Sequence, residues 1–467
     1  MSSGNIVGIV LAAGLGKRMK SKLHKVLHPV CGKPMVSHVL GALEGAGVRR
    51  IVVVVGHGAE EVRAALGGRA EFAMQERQLG TGHAVRAAEA LLAGEEGLAV
   101  VACGDSPLLR AETLSGMIAL HRERGAAATV LTAVVDDPGG LGRIVRGADG
   151  AVERIVEAKD ASEEERNIRE INAGTYVFDL RLLFEALARV KNENRQGEYY
   201  LTDVVSILRE EGRPVLGYRA ADPAEAFGVN DRAELAEAER LMRRRINREH
   251  MMNGVTIVDP ETTYIDADVS IGRDTVVHPG TMLRGGTRIG EGCVIGPQCD
   301  ITDSEVADGA AVRHSVLNGA VVGARTTVGP FAYLRPGTRL GEDVKIGDFV
   351  ETKNAWIGDG SKVSHLAYVG DARIGRNVNF GCGAITVNYD GYSKSETIVE
   401  DDAFIGSNVN LVAPVRIGRG AFVVAGSTIT KDVGEDDMAV ARERQTNKPG
   451  YAKTLRARLI ARKMNRT

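Results

Sequence analysis

The sequence predicts an α/β domain built on a mostly parallel sheet, followed by a parallel β-helix of six-residue repeats. Three observations carry that expectation. Short β-branched runs, IVGIVLA (6–12), RIVVVVG (50–56) and LAVVACGD (98–105), are separated by stretches rich in Ala, Leu, Glu and Arg. That alternation places helices on both faces of a parallel sheet. From Ile265 onward, aliphatic residues recur every six positions, a period that marks a solenoid. Between the two lies DRAELAEAERLMRRRINREHMM (231–252), which reads as one helix with acidic residues early and arginines late, as the helix dipole favours. The expected boundaries are a first domain over 1–230, a linker helix over 231–252, a β-helix over 253–437 and an arm over 438–467. A chain of 467 residues exceeds one ordinary core.

Composition removes several function classes. With 59 basic and 61 acidic residues and a net charge of -2, no global field attracts nucleic acid or an anionic membrane, so phosphate binding must be local. Cys31, Cys103, Cys293, Cys299 and Cys382 are scattered with no CxxC pair, which argues against a disulfide framework or a thiolate zinc site and fits a reducing cytoplasm. The start, MSSGNIVGIVLAAG, has neither a basic leader nor a cleavage site, and no 18-residue apolar run follows. The expectation is a soluble, cytoplasmic protein without membrane insertion.

In such sheets ligands bind beyond the carboxyl ends of the strands, and the motifs of the first half fall there. LAAGLGKRMKSKLHKVL (11–27) is a glycine turn followed by Lys17, Arg18 and Lys25. A GxG alone is commonly a plain turn, but three cations beside free backbone N–H groups suit a triphosphate. The loop is neither a Walker sequence nor a dinucleotide GxGxxG. QERQLGTGHA (75–84) offers Gln75, Gly80 and Thr81, whose amide and backbone groups are able to read a base edge. LAVVACGDSPLL ends its strand at Gly104 and Asp105; the carboxylate suits Mg2+, which keeps much of its coordination for phosphate and water, and the alternative is an N-cap aspartate.

Leu235, Ala238, Leu241, Met242 and Ile246 form the apolar stripe of the linker helix, a packed connector rather than a nucleic-acid helix despite its RRR. The six-residue register runs through Ile265, Ile271, Val277, Leu283, Ile289, Ile295 and Ile301, resumes from Val322 to Ile346, and again from Ile405 to Ile429. Three hexapeptides make one triangular coil with stacked inward aliphatics. The register slips near His365: Ile346 to Ile357 is eleven, and Val369 to Ile374 is five. NYDGYSKSETI (388–398) leaves the stack as a loop, and TLRARLIARKMNRT (454–467) reads as a basic solvated arm. Breaks of this kind are where function is grafted.

The LAAGxGxRM loop, the lysine before Val-Leu, the QLGTGHA turn and the GD after a buried strand resemble the sugar-nucleotide pyrophosphorylases, with their Rossmann-like nucleotidyltransferase fold. Within that class the whole chain resembles the bifunctional family that acetylates glucosamine 1-phosphate from acetyl-CoA and then couples N-acetylglucosamine 1-phosphate to UTP. The resemblance implies UDP-N-acetylglucosamine and pyrophosphate as products, supplying peptidoglycan and lipopolysaccharide-type polymers. It also implies a left-handed β-helix, a homotrimer with acyl-donor sites between neighbouring subunits, and Mg2+ held by Asp105 and Asn230 (FGVND). By the same resemblance Leu11, Ala12, Ala13, Gly14, Lys25, Gln75, Gly80, Thr81, Cys103, Gly104 and Asp105 meet UTP. Gly142 (GGLGRIV), Glu157 (IVEAKD) and Asn172 (EINAG) hold the sugar and its N-acetyl group. The sugar phosphate attacks the α-phosphorus in line, so no protein nucleophile is required; Arg18 and Lys25 offset phosphate charge. Two positions depart from the family: Lys17 stands where threonine is frequent, and His24 where a proline commonly precedes the lysine, which puts the approach of Lys25 in question.

In the β-helix the resemblance assigns Arg335 (LRPG) and Lys353 (VETKNA) to the sugar phosphate, and Tyr368 and Asn379 to the glucosamine. Asn388 and Tyr389 line the acetyl end, and Cys382, Ser407, Ala425 and Arg442 meet coenzyme A. Cys382 replaces a frequent alanine; a nucleophilic Cys382 would mean ping-pong transfer. His365 is the general base, because an attacking amine must lose a proton and imidazole titrates near working pH. Glu351 is the candidate to orient its ring, whereas His28, His38, His57 and His121 are read as structural. Two alternatives are a nucleotidylyltransferase whose β-helix only oligomerises and a non-catalytic scaffold. Against them stand the cluster of Lys353, His365, Tyr368, Asn388 and Tyr389 and the pair of Asp105 and Asn230.

Overall fold

The structure, a computed structural model, describes residues 5–465. The chain divides into two compact units, one running to Glu249 and including Tyr264–Asp268, the other comprising His250–Thr263 and the chain from Val269.

The strands of the first unit are β1 (Ile6–Leu11), β2 (Arg50–Val55), β3 (Glu71–Met74), β4 (Leu98–Cys103), β5 (Ala128–Val134), β6 (Arg143–Arg146), β7 (Val152–Val156), β8 (Glu170–Asp179) and β9 (Val215–Arg219). They lie in the order β9-β5-β8-β4-β1-β2-β3. All pairs along this path are parallel except those of β8, which runs antiparallel to both β4 and β5. The strands are hydrophobic on both faces because both are covered. Val7, Ile9, Val52, Val54 and Val101 join one core layer, and Val10, Val53, Val55, Val100 and Ala102 the other. The helices are α1 (Met35–Gly45), α2 (Ala59–Leu66), α3 (Thr81–Ala87), α4 (Ala111–Arg124), α5 (Glu163–Arg166), α6 (Leu180–Leu187), α7 (Asp203–Glu210) and α8 (Arg232–Met252).

Two features of this sheet position a site. The chain reverses strand order at β1, whose neighbours are β2 and β4, and a crevice opens beyond their carboxyl ends. On β8 the register shifts between Asn172 and Tyr176, with Gly174 at φ 70°, so the strand bulges beside the end of β4. Hairpin β6–β7 hangs from β8 through the pair Ile171 and Arg143. In α8, Ala238, Met242 and Ile246 of the expected stripe are buried, and Leu235 and Leu241 are half-buried.

The second unit is a stack of short parallel strands in which each strand pairs with its counterpart one coil later, for instance Val276 with Val294 and Thr327 with Lys345. The inward positions named from the six-residue period are buried, Val277, Leu283, Ile295, Ile301, Leu334, Ile346, Ile405 and Leu411 completely so; Ile271, in the first coil, is only half-buried. Beside them runs a set of buried hydroxyls that the period does not announce. Thr275, Thr326 and Ser361 donate to carbonyls of the next coil, Gly290, Gly341 and Gly375, at 2.7–2.8 Å, filling corners that would otherwise leave backbone oxygens unpaired.

The register slips have a structural form. Glu351–Ile357 and Tyr368–Ile374 are seven-residue strands paired in register along their length. Both bend where a residue enters the left-handed region, Asn354 at φ 44° and Asp371 at φ 46°, and the bends are tied by Asn354 Nδ2 donating to Asp371 Oδ1 at 2.8 Å. The loop after Val387 adds residues to the following coil, so Asn379 pairs with Phe404. A last helix, α9 (Tyr451–Met464), is exposed along its length.

Candidate functional sites

In the first unit a cleft of about 260 Å³ lies beyond the ends of β1 and β4. Leu11, Ala12, Ala13, Gly14, Lys25, Gln75, Gly80, Thr81, Cys103 and Asp105 all line it. Ala12 N continues the β1 ladder to Val54 O at 2.8 Å, and Gly104 N bonds Leu11 O at 2.9 Å, so the two loops leave from one fixed point. Gly80 has φ 108°, and a Cβ there would stand 2.6 Å from the Tyr199 carbonyl; only glycine permits that approach. Gln75 Nε2 is engaged by Gly80 O at 3.2 Å and His83 Nδ1 at 3.0 Å, which leaves its carbonyl oxygen for a ligand. Gln78 and Glu198 also line the cleft and were missed from sequence, where nothing separates them from solvated loop residues.

Lys25 Nζ donates to Asp105 Oδ2 at 2.5 Å and to Asn230 Oδ1 at 2.8 Å, and its side chain is 12% exposed. Gly16, at φ 57°, holds it there: a Cβ at Gly16 would lie 2.7 Å from the Lys25 Cβ. With His24 before it in place of the frequent proline, Lys25 still reaches Asp105 and Asn230. The His24 ring is buried against Gly58, and burial pushes its pKa down. Arg18 is not brought to the cleft; it is exposed on the single turn Lys17–Met19, as is Lys17.

Gly142, Glu157 and Asn172, expected on the sugar side, meet around the β8 bulge. A Cβ at Gly142 would lie 3.6 Å from the Asn172 Cβ and 3.7 Å from Glu157 Oε2. Asn172 N bonds Gly142 O at 2.9 Å, and its side chain is fixed by Gly174 N at 3.1 Å and the Tyr176 hydroxyl at 2.7 Å. Burial pushes the Glu157 carboxyl up, partly offset by the Thr202 hydroxyl donating at 3.2 Å. Cys103 joins the two regions through its contact with the Gly174 carbonyl. Burial and the Asp105 carboxylate push its thiol up to about 12, so it stays protonated and supplies shape.

In the β-helix, His365 sits at a corner whose positions repeat down the stack. Backbone bonds run from Leu366 N to Asp348 O, from Gly383 N to His365 O, from Asn408 N to Cys382 O and from Gly426 N to Ser407 O. Asp348, His365, Cys382, Ser407 and Ala425 therefore follow one another along one column of corners. Arg442 adjoins its lower end, 3.9 Å from where a Gly426 Cβ would be. His365 Nδ1 is 2.6 Å from Asp348 Oδ1, and the hydrogen bond to His365 holds the Asp348 carboxyl below its usual range. Glu351, expected to orient the ring, does not; it receives Arg335 Nη1 at 2.8 Å. The reason is register, since Asp348 pairs directly with His365 whereas Glu351 pairs with Tyr368. Counting one coil back from His365 would have found Asp348.

Tyr368 pairs with Glu351, two positions along the strand from the pair Lys353 and Gly370, and its hydroxyl fills the space that a Cβ on Gly370 would need. Contact with Lys394 pushes the Lys353 ammonium down, gathering two cations where a phosphate would dock. Asn388 is buried and donates to Asp371 Oδ2 at 2.5 Å, while Tyr389 is exposed, its hydroxyl on Gly391 O at 2.6 Å. Asn379 is half-buried on the coil below Lys362. Among the described residues no group of three or more His, Cys, Asp or Glu is placed to hold a metal, and no helix is long and apolar enough to cross a membrane.

Comparison with known proteins covers both units. Residues 8–202 match the MobA-like NTP transferase domain, 251–357 the GMPPB C-terminal domain and 396–431 the bacterial transferase hexapeptide repeats. The bifunctional protein GlmU of Brevibacillus brevis is 60% identical over 96% of this chain and 97% of its own. That of an Exiguobacterium species is 58% identical over 95% and 99%, and that of Listeria monocytogenes 55% over 96% and 98%. With a nucleotidyltransferase sheet in one unit and a left-handed hexapeptide β-helix in the other, the chain belongs to the bifunctional GlmU family, whose uridyltransferase and acetyltransferase activities make UDP-N-acetylglucosamine.

Proposed function

We propose that uridylyl transfer occurs at the β1–β4 cleft and acetyl transfer at the His365 corner, with the residue roles that follow. In the β-helix, Asp348 keeps the Nδ1 proton of His365 directed at its carboxylate, so Nε2 carries the lone pair that takes the proton of the attacking amine. Arg335, braced by Glu351, and Lys353 hold the sugar phosphate, and Tyr368 and Asn379 hold the glucosamine. Asn388 and Tyr389 line the acetyl end, and the column through Cys382, Ser407 and Ala425 to Arg442 receives coenzyme A. The Asp348–His365 contact is the observation that carries this half.

In the cleft, Leu11 to Gly14, Gln75, Gly80, Thr81, Cys103 and Gly104 receive UTP, while Gly142, Glu157 and Asn172 receive the sugar with its N-acetyl group. The family's nucleotidyltransferase chemistry points to a divalent metal; we take it to be Mg2+, held by Asp105 and Asn230. The fit is supported by the structure's own cation: the Lys25 ammonium lies within 2.8 Å of both side-chain oxygens. Two protein oxygens suit an ion that completes its shell with water and phosphate, where it would neutralise charge on the reacting groups. Lys25 then turns to the phosphates, and Arg18, from its exposed turn, reaches the outer end of a bound triphosphate.

The active form is a homotrimer in the cytoplasm, feeding cell-envelope polymer synthesis. An exposed ladder beside the His365 corner supports the trimer: His314 lies 5.6 Å from Phe331, and Phe331 5.5 Å from Phe349. The test supplies glucosamine 1-phosphate, acetyl-CoA, UTP and Mg2+ and follows free thiol and pyrophosphate separately. His365→Ala loses thiol release only. Asp105→Ala, given N-acetylglucosamine 1-phosphate, loses pyrophosphate release only. Normal thiol release from His365→Ala would overturn the base assignment.

A further inference from the structure

A second concave surface of the first unit has no part in either reaction. It is a cleft of about 270 Å³ between α8 and the turn around Asp222, and Arg110, Arg244, Arg245 and Arg248 line it. On α8 the three arginines share one face with Leu241, following the three- and four-residue spacing of a helical stripe. Four guanidiniums face one solvent-accessible carboxylate, and that carboxylate is already committed. Asp222 Oδ1 accepts Ala224 N at 3.0 Å, and Oδ2 accepts Arg110 Nη2 at 3.0 Å and stands 3.6 Å from Arg245 Nη2. The neighbouring Glu225 is buried and taken up by Thr113 and Arg110 N.

The donors are in surplus. Arg244 and Arg248 make no ion pair among the described residues, and Arg110 Nε is buried with no hydrogen-bond partner. Burial, and after it the nearby Arg110, push the Arg245 guanidinium below its ordinary range. The helix dipole rewards cations toward the end of α8 but gives no reason for Arg110 to be drawn in from a different segment. Crowded guanidinium forks with unused donors are what a multiply charged phosphate satisfies, because each fork matches two of its oxygens.

We propose that this cleft is a second anion site, for a compact diphosphate group, coupled to the loops that carry Asp105 and Asn230. The coupling is mechanical. Arg245 Nη1 donates to Leu108 O at 2.8 Å, just beyond Asp105, and Asp222 anchors the turn that leads to Asn230. Val229 N bonds Asp105 O at 2.9 Å and joins the two segments. An anion that draws Arg110 and Arg245 from Asp222 therefore loosens the support beneath both side chains. The diphosphate class includes the pyrophosphate that uridylyl transfer releases and the diphosphate of a nucleotide such as coenzyme A. The binding proposal stands independently of the metal assignment.

Calorimetric titration of the full chain with inorganic pyrophosphate, without divalent cations and at physiological salt, tests it. Wild type is expected to bind two equivalents, Arg244→Ser/Arg248→Ser one, and Lys25→Ala one. Arg240→Ser, on the same helix but outside the cleft, controls for a general field and should retain two. Unchanged stoichiometry in the double variant overturns the site, and so does equal weakening by Arg240→Ser. Competition by coenzyme A at the arginine-dependent site assigns a nucleotide-borne diphosphate, and its failure to compete assigns free pyrophosphate. Without added pyrophosphate the double variant should turn over within twofold of wild type. Inhibition by pyrophosphate should change from mixed to purely competitive against UTP, and persistence of the mixed pattern would overturn the coupling.

Discussion

At the scale of single residues, the proposed acetyl transfer rests on which nitrogen of His365 holds the proton, and Asp348, 2.6 Å from Nδ1, is the group that would fix it. Asp348→Asn retains a side chain of the same shape but loses the charge that fixes the tautomer and stabilises the imidazolium. Thiol release should fall about 100-fold, the scale of a positioned proton transfer, with the KM for glucosamine 1-phosphate nearly unchanged and pyrophosphate release untouched. Equal loss in both half-reactions would instead mark a folding defect. Glu157 gives a second residue-scale expectation, this time in stability. Its folded pKa is raised by burial, so its favourable contribution is present below the ordinary glutamate value of about 4.3 and is lost as pH rises through the raised value. Above that point an ionised carboxylate stays buried at a cost. Glu157→Gln should therefore melt higher than wild type at pH 7.5, with the gap closing at pH 4, while its KM for N-acetylglucosamine 1-phosphate rises. A gap independent of pH would show that ionisation is not the cause. These residues differ in legibility. Motif and resemblance pointed to Glu157, Lys25 and Asp105, whereas Asp348 needed the coil-to-coil pairing, because one turn of solenoid separates it in sequence from the ring it touches.

At the scale of elements, the six-residue register was readable because most inward positions of the stack are aliphatic and buried, leaving no competing period. The slips around His365 were readable as missing residues, but not as what they build. Two successive seven-residue strands bend together at Asn354 and Asp371, and that depends on left-handed backbone, which spacing does not encode. Likewise the alternation of apolar runs gave the parallel sheet but not the antiparallel β8, whose bulge brings Asn172 to Glu157 and Gly142. The paired bends can be tested by separating backbone from side chain. Asn354→Ala loses the bond to Asp371 and forces alanine into φ > 0, whereas Asn354→Gly loses the bond alone. The alanine variant should be less stable than the glycine variant by about 1 kcal/mol in denaturant unfolding of the β-helix. Both should raise the KM for glucosamine 1-phosphate, because Asp371 also holds Asn388. Equal stability of the two variants would mean that the bend relaxes without cost.

At the scale of the whole molecule, the near-neutral composition excluded a global field, and the charge that matters is local: the Lys25 bridge, the Arg335–Lys353 pair and the arginine cleft. What composition could not reveal is where the β-helix leaves apolar surface uncovered. Phe331 and Phe349 are 56% and 58% exposed, and Leu366, next to His365, is 58% exposed. They occupy adjacent corners of the stack, and such a contiguous apolar ladder is the surface on which the proposed trimer would close. Burying a phenylalanine side chain contributes about 1.5–3 kcal/mol, and a closed trimer would repeat the ladder in each of its interfaces. Phe331→Asp/Phe349→Asp should therefore lower the sedimentation mass from trimer to monomer. Thiol release should fall more than tenfold, because the His365 corner then lacks its neighbour. Pyrophosphate release should stay within twofold, since the β1–β4 cleft is lined only by residues of its own sheet and loops. A variant that remains trimeric with full thiol release would place the subunit contact elsewhere on the β-helix and leave the ladder as solvated surface.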